Sequence, residues 1–299
     1  MSNSFPSCTW ERGELGKRAK DENTAAPILY LYPFSPLPLF PFSPQVLTML
    51  EVDGLSKSFG GVQALTDVSF AVAAGEIVGL IGPNGAGKTT CFNLINGLLP
   101  PSAGEIRLGS TEMVGLPPYR RARLGLARTF QNIQLFGGMT VLENVLTGVH
   151  LHQQVGVFAA LLPLPMVRRA QAENRRLAIK FLELVGLTGK EDEPAEALAY
   201  GDQRRLEIAR ALAQQPQLLL MDEPAAGLNP RETEDLMALM EKLLPLGITL
   251  LVIEHDMTLV MGLCHRIVVL DHGEVIAAGA PQEIRRDPRV IEAYLGREE

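Results

Sequence analysis

The nine residues Gly82–Thr90 constrain the fold of this chain more than any other segment. Their sequence is Gly-Pro-Asn-Gly-Ala-Gly-Lys-Thr-Thr, after an apolar run at Glu76–Ile81 that indicates a buried strand and before a helical pattern that begins near Cys91. The three glycines allow the turn to bring its backbone N–H groups together around one point. A strand, a turn of this kind and a helix in this order form a phosphate-binding loop. We therefore expect an α/β fold built around this loop.

Two side chains of the loop carry the chemistry of phosphate binding. Lys88 offers an ammonium group to the terminal phosphates of a nucleotide, and Thr89 offers a hydroxyl to Mg²⁺. A glycine-rich turn that binds nothing is the alternative, and the strand before the loop and the helix after it disfavour it. We expect nucleotide contacts from the whole segment, that is from Gly82, Pro83, Asn84, Gly85, Ala86, Gly87, Lys88, Thr89 and Thr90.

Charge and cysteine content argue against two classes of function. The 299-residue chain has a formal net charge of −7, whereas a general nucleic-acid binder needs a basic surface. Its cysteines, Cys8, Cys91 and Cys264, are far apart and form no Cys-x-x-Cys pair. They therefore predict neither a disulfide framework nor a zinc site, and they suit a reducing cytosol. We expect no nucleic-acid partner.

The first 48 residues differ in composition from the rest of the chain. They hold seven of the 21 prolines and show neither helical nor strand periodicity. Their most apolar stretch, Pro27–Phe42, contains five of these prolines, which would break a membrane-spanning helix. We interpret residues 1–48 as a disordered extension or translated upstream sequence, with Met49 as the start of the working protein. A proline-rich arm that binds a partner is the alternative.

The domain at residues 49–299 is predicted to have three parts. Alternating apolar residues with glycine-containing turns, before and just after the phosphate loop, predict an antiparallel sheet. Residues from about 140 to 202 have a mainly helical pattern and form an insertion between two nucleotide-binding parts. Beyond them, apolar strands at Leu218–Met221 and Ile248–Ile253 alternate with helices. This alternation predicts a mainly parallel sheet covered on both faces.

Polar residues follow the predicted parallel strands at the edge where ligands usually bind. Asp222 is placed to bind Mg²⁺ directly or through water, and Glu223 to orient or deprotonate the water that attacks a γ-phosphate. The amide of Gln131 can contact metal-bound water, and a neutral His255 can donate a hydrogen bond to the γ-phosphate. Helix capping and ordinary turn roles are the alternatives for these residues.

An aromatic residue in the antiparallel sheet, Phe59, could stack on adenine, although a half-buried strand aromatic is the alternative. Together with Phe59, a set of motifs in a fixed order makes this chain, from Met49 to its C-terminus, resemble the ATPase domain of ATP-binding cassette (ABC) transporters. The motifs are Phe59, Gly82–Thr89, Gln131, Leu198–Asp202, Asp222–Glu223, Leu228–Asn229 and His255. The resemblance implies an α/β nucleotide-binding domain with a mainly parallel core sheet, an antiparallel β-subdomain and an inserted helical subdomain. It also implies ATP held between two such domains, each phosphate loop facing the signature stretch of the other.

The stretch Leu198–Asp202 departs from the usual Leu-Ser-Gly-Gly-Gln signature of this family. Ala199 has no hydroxyl for the γ-phosphate, Tyr200 replaces a glycine and Asp202 replaces a glutamine. Phosphate contacts must then depend on backbone N–H groups and on the next helix, which we expect to begin at Gln203 with Asp202 as its N-cap. The signature residues expected to face the partner's nucleotide are Ala199, Tyr200, Gly201 and Asp202. Because the phosphate loop and the strand-end residues are intact, the resemblance still implies ATP hydrolysis.

Longer segments narrow the resemblance to one branch of the family. Leu198–Arg210, Asp222–Pro230, Ile253–Met257 and Val290–Gly296 are similar to the ATPase of bacterial branched-chain amino-acid uptake systems. This resemblance implies a peripheral subunit on the cytoplasmic face of the cell membrane. It also implies three kinds of partner: a second ATPase, two transmembrane permease subunits and an extracytoplasmic substrate-binding protein. Urea or amide uptake, and movement of lipid or lipopolysaccharide, are the alternatives.

Two further groups of residues have candidate roles at surfaces. Leu135 and Phe136 are apolar and follow Gln131, which suits a groove for a permease helix between the core and the helical insertion; core packing is the alternative. A cluster of arginines is interpreted as a solvated polar face, with contact to permease or lipid headgroups as the alternative. Its members are Arg120, Arg121, Arg123 and Arg128.

Overall fold

The computed structural model describes residues 47–150 and 165–295. The predicted extension at residues 1–48 lies outside this part of the chain, apart from its last two residues. The strands are β1 (Thr48–Phe59), β2 (Val62–Ala73), β3 (Ile77–Ile81), β4 (Ala103–Leu108), β5 (Thr111–Glu112), β6 (Leu126–Arg128), β7 (Leu218–Asp222), β8 (Thr249–Ile253), β9 (Arg266–Asp271) and β10 (Glu274–Gly279). The helices are α1 (Lys88–Asn96), α2 (Pro118–Arg123), α3 (Val141–Val149), α4 (Pro165–Leu184), α5 (Tyr200–Leu212), α6 (Pro230–Leu243), α7 (Met257–Leu263), α8 (Pro281–Ile284) and α9 (Pro288–Leu295).

The larger sheet is the predicted parallel core. Its strand order in the described residues is β10-β9-β3-β8-β7-β6, and the pairs from β9 to β6 are parallel whereas β10 is antiparallel to β9. Every residue of β3, β7 and β8 is buried. Burial on both faces explains why these strands are continuous apolar runs in the sequence. The predicted fold class is confirmed.

The smaller sheet has the order β2-β1-β4-β5 within the described chain, and its pairs are antiparallel. The long β1–β2 hairpin turns at Gly60 and Gly61, whose φ angles are 52° and 97°. A two-residue turn with both φ values positive matches the twist of the flanking strands and favours glycine. The tip therefore places the neighbouring residues Phe59 and Val62 at the surface, 45% and 69% exposed.

Helices α3 and α4 pack against α5 beside the parallel sheet. Phe181 and Leu182 of α4, and Val185 just after its end, are buried in the same core as residues of strands β7 and β8. Helix α3 begins with a capping box in which Thr140 and Glu143 each accept a hydrogen bond from the other's backbone N–H. No helix in the described ranges is both long and apolar enough to cross a bilayer.

Helix α5 begins three residues earlier than predicted, and the predicted capping role of Asp202 is wrong. Ala199 is the N-cap, and its side chain makes no capping hydrogen bond. Asp202 lies instead in the first turn, where its Oδ2 accepts a hydrogen bond from Nζ of Lys190 at 2.6 Å. The first helical turn is already closed at Gln203, whose N–H donates to the carbonyl oxygen of Ala199 at 2.9 Å. The hydroxyl of Tyr200 donates to the carbonyl oxygen of Ala226 at 3.0 Å.

The predicted arginine face is wrong for two of its four members. The side chain of Arg121 is buried, and its guanidinium donates to the carbonyl oxygens of Leu94 and Ile95 at the end of α1. The side chain of Arg128 is 5% exposed and pairs with Asp222. These cations satisfy acceptors inside the domain, so the four arginines do not form one solvated surface.

Candidate nucleotide-binding site

The phosphate loop joins β3 to α1 at the carboxyl edge of the parallel sheet. Gly82 has a φ of 150°, and a Cβ added there would overlap the carbonyl oxygen of Leu270. Gly87 has a φ of 103°, and its Cβ would meet the side chain of Leu65 at 2.6 Å. Glycine is thus required at both positions by conformation and by space.

Lys88 is bound to the loop that precedes it. Its Nζ donates to the carbonyl oxygen of Gly82 at 2.6 Å and to that of Pro83 at 2.9 Å. Burial lowers the pKa of this ammonium group, and the carboxylates of Glu223 and Asp222 partly oppose the shift. These contacts fold the lysine back along the cradle, next to the hydroxyl-bearing residue Thr89.

Two adjacent carboxylates at the end of β7 have different environments. Asp222 is the last strand residue and its side chain is 5% exposed, whereas the side chain of Glu223 is 23% exposed. Glu223 has a left-handed φ of 46°, and its N–H donates to the carbonyl oxygen of Ile253 at 2.9 Å. A non-glycine residue in this region is strained, and such strain is common at functional sites.

The structure brings the three predicted catalytic residues together at one oxygen atom. Nε2 of Gln131 donates to Oε2 of Glu223 at 2.8 Å. Nδ1 of His255 lies 3.8 Å from the same Oε2. The ends of β6, β7 and β8 therefore converge, as predicted for a parallel sheet. A carboxylate that is held by an amide and has an imidazole nearby is suited to orient a water molecule and accept its proton.

The predicted magnesium ligands are a hydroxyl, a carboxylate and an amide, on Thr89, Asp222 and Gln131. Within residues 47–150 and 165–295, no group of three or more His, Cys, Asp or Glu residues could hold a metal ion. A few oxygen donors beside a phosphate cradle nevertheless fit Mg²⁺, because this ion is usually held by one or two carboxylates together with substrate phosphates and water.

Comparison with known proteins identifies the family. A family model described as "ABC transporter" matches residues 65–226, which is more than half of the chain. The chain belongs to the ABC transporter family. A second model, described as "Branched-chain amino acid ATP-binding cassette transporter", matches residues 274–299. As the ATP-binding component of this family, the protein is an ATPase.

This chain matches curated ABC relatives over nearly their whole length. The high-affinity branched-chain amino acid transport ATP-binding protein LivG of Salmonella typhimurium is 50% identical over 249 residues, which are 83% of this chain and 98% of that protein. BraF of Pseudomonas aeruginosa, named for the same transport, is 49% identical with the same coverage. The lipopolysaccharide export ATP-binding protein LptB of Acidithiobacillus ferridurans is 38% identical over 83% of this chain and 97% of its own.

Solved ABC structures share the fold. A nucleotide-free ATP-binding cassette from an ABC transporter has a TM-score of 0.73 and 31% identity over 84% of this chain and 100% of its own. A dimeric cassette in a post-hydrolysis state, bound to ADP and phosphate, has a TM-score of 0.66 and 27% identity over 78% of this chain and 99% of its own.

A buried glutamate that received no role in the sequence analysis joins two turns of the ABC site. Glu254 is 1% exposed and follows β8 directly. Its carboxylate accepts hydrogen bonds from the N–H groups of Ala225 at 2.8 Å and His255 at 3.1 Å. Burial raises the pKa of Glu254, and these hydrogen bonds partly lower it. The sequence did contain a signal for this residue, because Glu254, like Asp222, directly follows a run of four apolar residues.

A buried ion pair on α5 holds the Gln131 segment by its backbone. Arg204 donates to the carbonyl oxygens of Phe130 at 2.8 Å and Gln131 at 2.9 Å, and to Oε2 of Glu207 at 2.8 Å. Both charged side chains are almost fully buried, at 1% and 2% exposed. This pair was not predicted from the sequence, although its spacing of three residues places both charges on one face of the helix.

The signature stretch lies at the start of α5, apart from the phosphate loop of the same ABC domain. Within the described chain, the hydrogen bonds and ion pairs of its side chains join it to Lys190, Arg204, Arg205 and Ala226, and none joins it to the loop. Tyr200 is 46% exposed beside the turn that follows Glu223. Phe59 is separate from both, at the hairpin tip, with Nζ of Lys57 at 5.0 Å from its ring centroid.

Proposed function

We propose that this protein is the ATP-hydrolysing subunit of a bacterial ABC importer for branched-chain amino acids. The observation that supports hydrolysis is the convergence of Gln131 and His255 on Oε2 of Glu223. The substrate class is supported by relatives such as LivG, named for branched-chain amino acid transport and 50% identical over almost their whole length. The lipopolysaccharide relative is more distant, at 38% identity.

The chemical roles follow from the positions of the side chains. Glu223 orients the attacking water and accepts its proton, Gln131 holds this carboxylate by its hydrogen bond, and His255 donates a hydrogen bond to the γ-phosphate. Lys88 moves from the loop carbonyls to the terminal phosphates. Thr89, Asp222 and Gln131 would hold Mg²⁺, which would supply positive charge to the phosphates of the nucleotide. Phe59 would stack on adenine at the hairpin tip.

One chain forms only half of each catalytic site under this proposal. The phosphate loop and the stretch Ala199–Asp202 of the same chain share no hydrogen bond in the described residues, so a second ATPase would bring its signature to this loop. Backbone N–H groups at the start of α5 would contact the γ-phosphate in place of a serine hydroxyl. The dimeric cassette bound to ADP and phosphate provides a structural precedent for pairing of such domains.

A groove next to the Gln131 segment suits a permease helix on the cytoplasmic face of the membrane. It encloses about 520 Å³ and is lined by residues that include Leu135, Phe136 and Arg210. Phe136 is 51% exposed, and the guanidinium of Arg210 lies 5.5 Å from its ring centroid. Leu135 instead packs against the hydrophobic core. Phe136 is therefore the residue of this pair that is available to a partner.

Reconstitution tests the proposed function. The full chain would be co-expressed with a candidate second ATPase and two amino-acid permease subunits, and the purified complex placed in vesicles with ATP. Addition of an external binding protein and radiolabelled leucine should give ATP-dependent uptake, and the Glu223→Gln complex should give none. Stable assembly with lipopolysaccharide-export subunits, or uptake of urea without leucine, would refute the substrate assignment.

A further inference from the structure

The guanidinium of Arg128 joins three elements beneath the candidate site. Nη2 donates to Oδ2 of Asp222 at 2.7 Å, and Nη1 donates to Oδ1 of Asn93 at 2.7 Å. Asn93 lies on α1, which starts in the phosphate loop, and Asp222 ends the strand that pairs with β6. The side chains of Arg128 and Asp222 are each 5% exposed. They form a desolvated ion pair at the proposed magnesium side of the site.

The surroundings of this pair attract a cation but also exclude water from it. The guanidinium carbon of Arg128 lies over the rings of Phe92 and Phe130, at 5.6 Å and 5.0 Å from their centroids, and the faces of aromatic rings attract a cation. Its Nε is buried and has no hydrogen-bond partner in the part of the chain that the structure describes. Buried ion pairs are often no more stabilising than apolar side chains of similar size. An apolar side chain could fill the space beside the two rings equally well, so packing alone does not explain why this residue is an arginine.

We propose that Arg128 balances the charge of Asp222 and so prevents this carboxylate from binding a divalent cation in the absence of nucleotide. The metal then binds together with the phosphates of the nucleotide, whose negative charge offsets its repulsion by the guanidinium. Arg128 is thus a positioning residue that sets the order in which the ligands enter. The inference rests on the proposed role of Asp222 as the carboxylate that faces Mg²⁺.

The sign of the effect follows from the geometry. A cation bound to Asp222 lies within a few ångströms of a guanidinium that is 2.7 Å from Oδ2. Repulsion between like charges is strong where water is largely excluded. Without the arginine charge, the buried carboxylate of Asp222 loses its ion-pair partner and keeps only a longer-range electrostatic interaction with Lys88. A metal ion can then replace the lost charge. Loss of the charge should therefore tighten metal binding to the nucleotide-free protein.

Manganese binding provides the test. MnCl₂ would be added to the full chain without nucleotide, and free Mn²⁺ measured by electron paramagnetic resonance. Arg128→Met keeps an unbranched side chain between the rings and removes the charge, whereas Arg128→Lys keeps the charge. We expect weak binding by the unmodified protein and by Arg128→Lys, and at least ten-fold tighter binding of one Mn²⁺ by Arg128→Met. Adding Asp222→Asn to Arg128→Met should abolish the gain.

Two results would overturn the inference. One is an unchanged Mn²⁺ affinity in an Arg128→Met variant that unfolds at the same urea concentration as the unmodified protein. If Arg128→Met does not fold, Arg128→Gln replaces it under the same condition. The other is a gain that persists with Asp222→Asn, which would place the ion elsewhere. Mg²⁺-dependent ATP turnover by the unmodified reconstituted complex is measured in parallel. Turnover without a gain in Mn²⁺ binding refutes only this inference, whereas lack of turnover refutes the proposed function.

Discussion

Gln131 donates a hydrogen bond to Oε2 of Glu223 at 2.8 Å, across 92 positions of sequence. The bond joins the segment after β6 to the carboxylate after β7. Because Gln131 is followed by the residues that line the proposed permease groove, a movement of this segment would also move a hydrogen-bond donor of Glu223. Under the proposed function, docking of the permease and activation of the water would therefore be connected through this side-chain contact.

Replacing Glu223 by Gln should slow ATP hydrolysis by about 10² to 10³-fold, because the amide cannot accept the proton of the attacking water. ATP affinity should change little, since the phosphate loop is intact. Phosphate release and ATP binding by the purified complex measure the two quantities. The exposed α6 residue Glu241, changed to Gln, is the matched control. Equal turnover in the two variants would exclude Glu223 as the base.

Replacing Phe59 by Ala should weaken ATP binding by about five-fold or more, because base–aromatic stacking contributes roughly 1 to 3 kcal/mol. The side chain is 45% exposed, so the unfolding midpoint should barely change. Val62→Ala, at the other side of the hairpin turn, is the control. Titration with a fluorescent ATP analogue gives the affinities. Equal affinities of the two variants would indicate that Phe59 is an ordinary surface aromatic.

Phe136→Ser should reduce co-purification of the permease subunits and leave ATP binding by the isolated chain unchanged. Phe136 is exposed in the groove, whereas Leu135 packs against the core. Leu135→Ser should therefore lower the free energy of unfolding by about 2 kcal/mol or more, in addition to any effect on the permease. Val114→Ser, at a surface position with 37% exposure, serves as the control. Retention of the permease by Phe136→Ser would rule out this groove as the docking site.

Arg204→Met should destabilise the domain by about 3 to 5 kcal/mol, because it leaves Glu207 buried without its cation. Adding Glu207→Met should restore much of the unfolding free energy measured in urea. ATP turnover should stay low in the double variant, since the carbonyl oxygens of Phe130 and Gln131 still lack their donor. Arg205→Met is the control, because its ion pair with Asp235 is more exposed. Recovery of turnover together with stability would show that the pair acts only in folding.

Acid should remove the stabilising effect of Glu76, the residue just before β3. Burial raises its pKa, but hydrogen bonds from Arg266 and from the N–H of Ala73 outweigh this effect and hold the pKa below its ordinary value. The unfolded chain then takes up the proton first, so the contribution is present at neutral pH and is lost as the pH falls through the native pKa.

Glu76→Gln should therefore reduce the free energy of unfolding by about 2 kcal/mol at pH 7 and by much less near pH 3. Urea unfolding at the two pH values measures the difference. Glu105→Gln is the control, because Glu105 makes an exposed pair with Arg107 and should cost less than about 1 kcal/mol at either pH. A pH-independent cost for Glu76→Gln would contradict the assigned ion pair.

The phosphate loop, the parallel strands and the residues at their ends could be predicted because their signals are local. An apolar run such as Leu218–Met221 followed by Asp222 and Glu223 combines strand burial with a strand end in consecutive residues. Parallel pairing then brings Gln131 and His255 to the same edge without further information.

The wrong predictions concern residues whose partners are distant in sequence. Aspartate is a residue type that is favoured at helix N-caps, but α5 begins at Tyr200, two residues before Asp202. The hydroxyl of Tyr200 donates to the carbonyl oxygen of Ala226. Arg121 lies in a run of basic residues that suggests solvent exposure, yet its acceptors are carbonyl oxygens of α1. Only the packed structure identifies these acceptors, because local charge patterns contain no information about them.

Lys88 already has two carbonyl acceptors, on Gly82 and Pro83, within hydrogen-bond distance. Capture of a triphosphate is then an exchange of partners for this ammonium group, and the heat released is the difference between new and existing contacts. The side chain is also held beforehand, so little rotamer entropy remains to be lost. Nucleotide affinity therefore depends on how well phosphate oxygens compete with the protein's own backbone for a single cation.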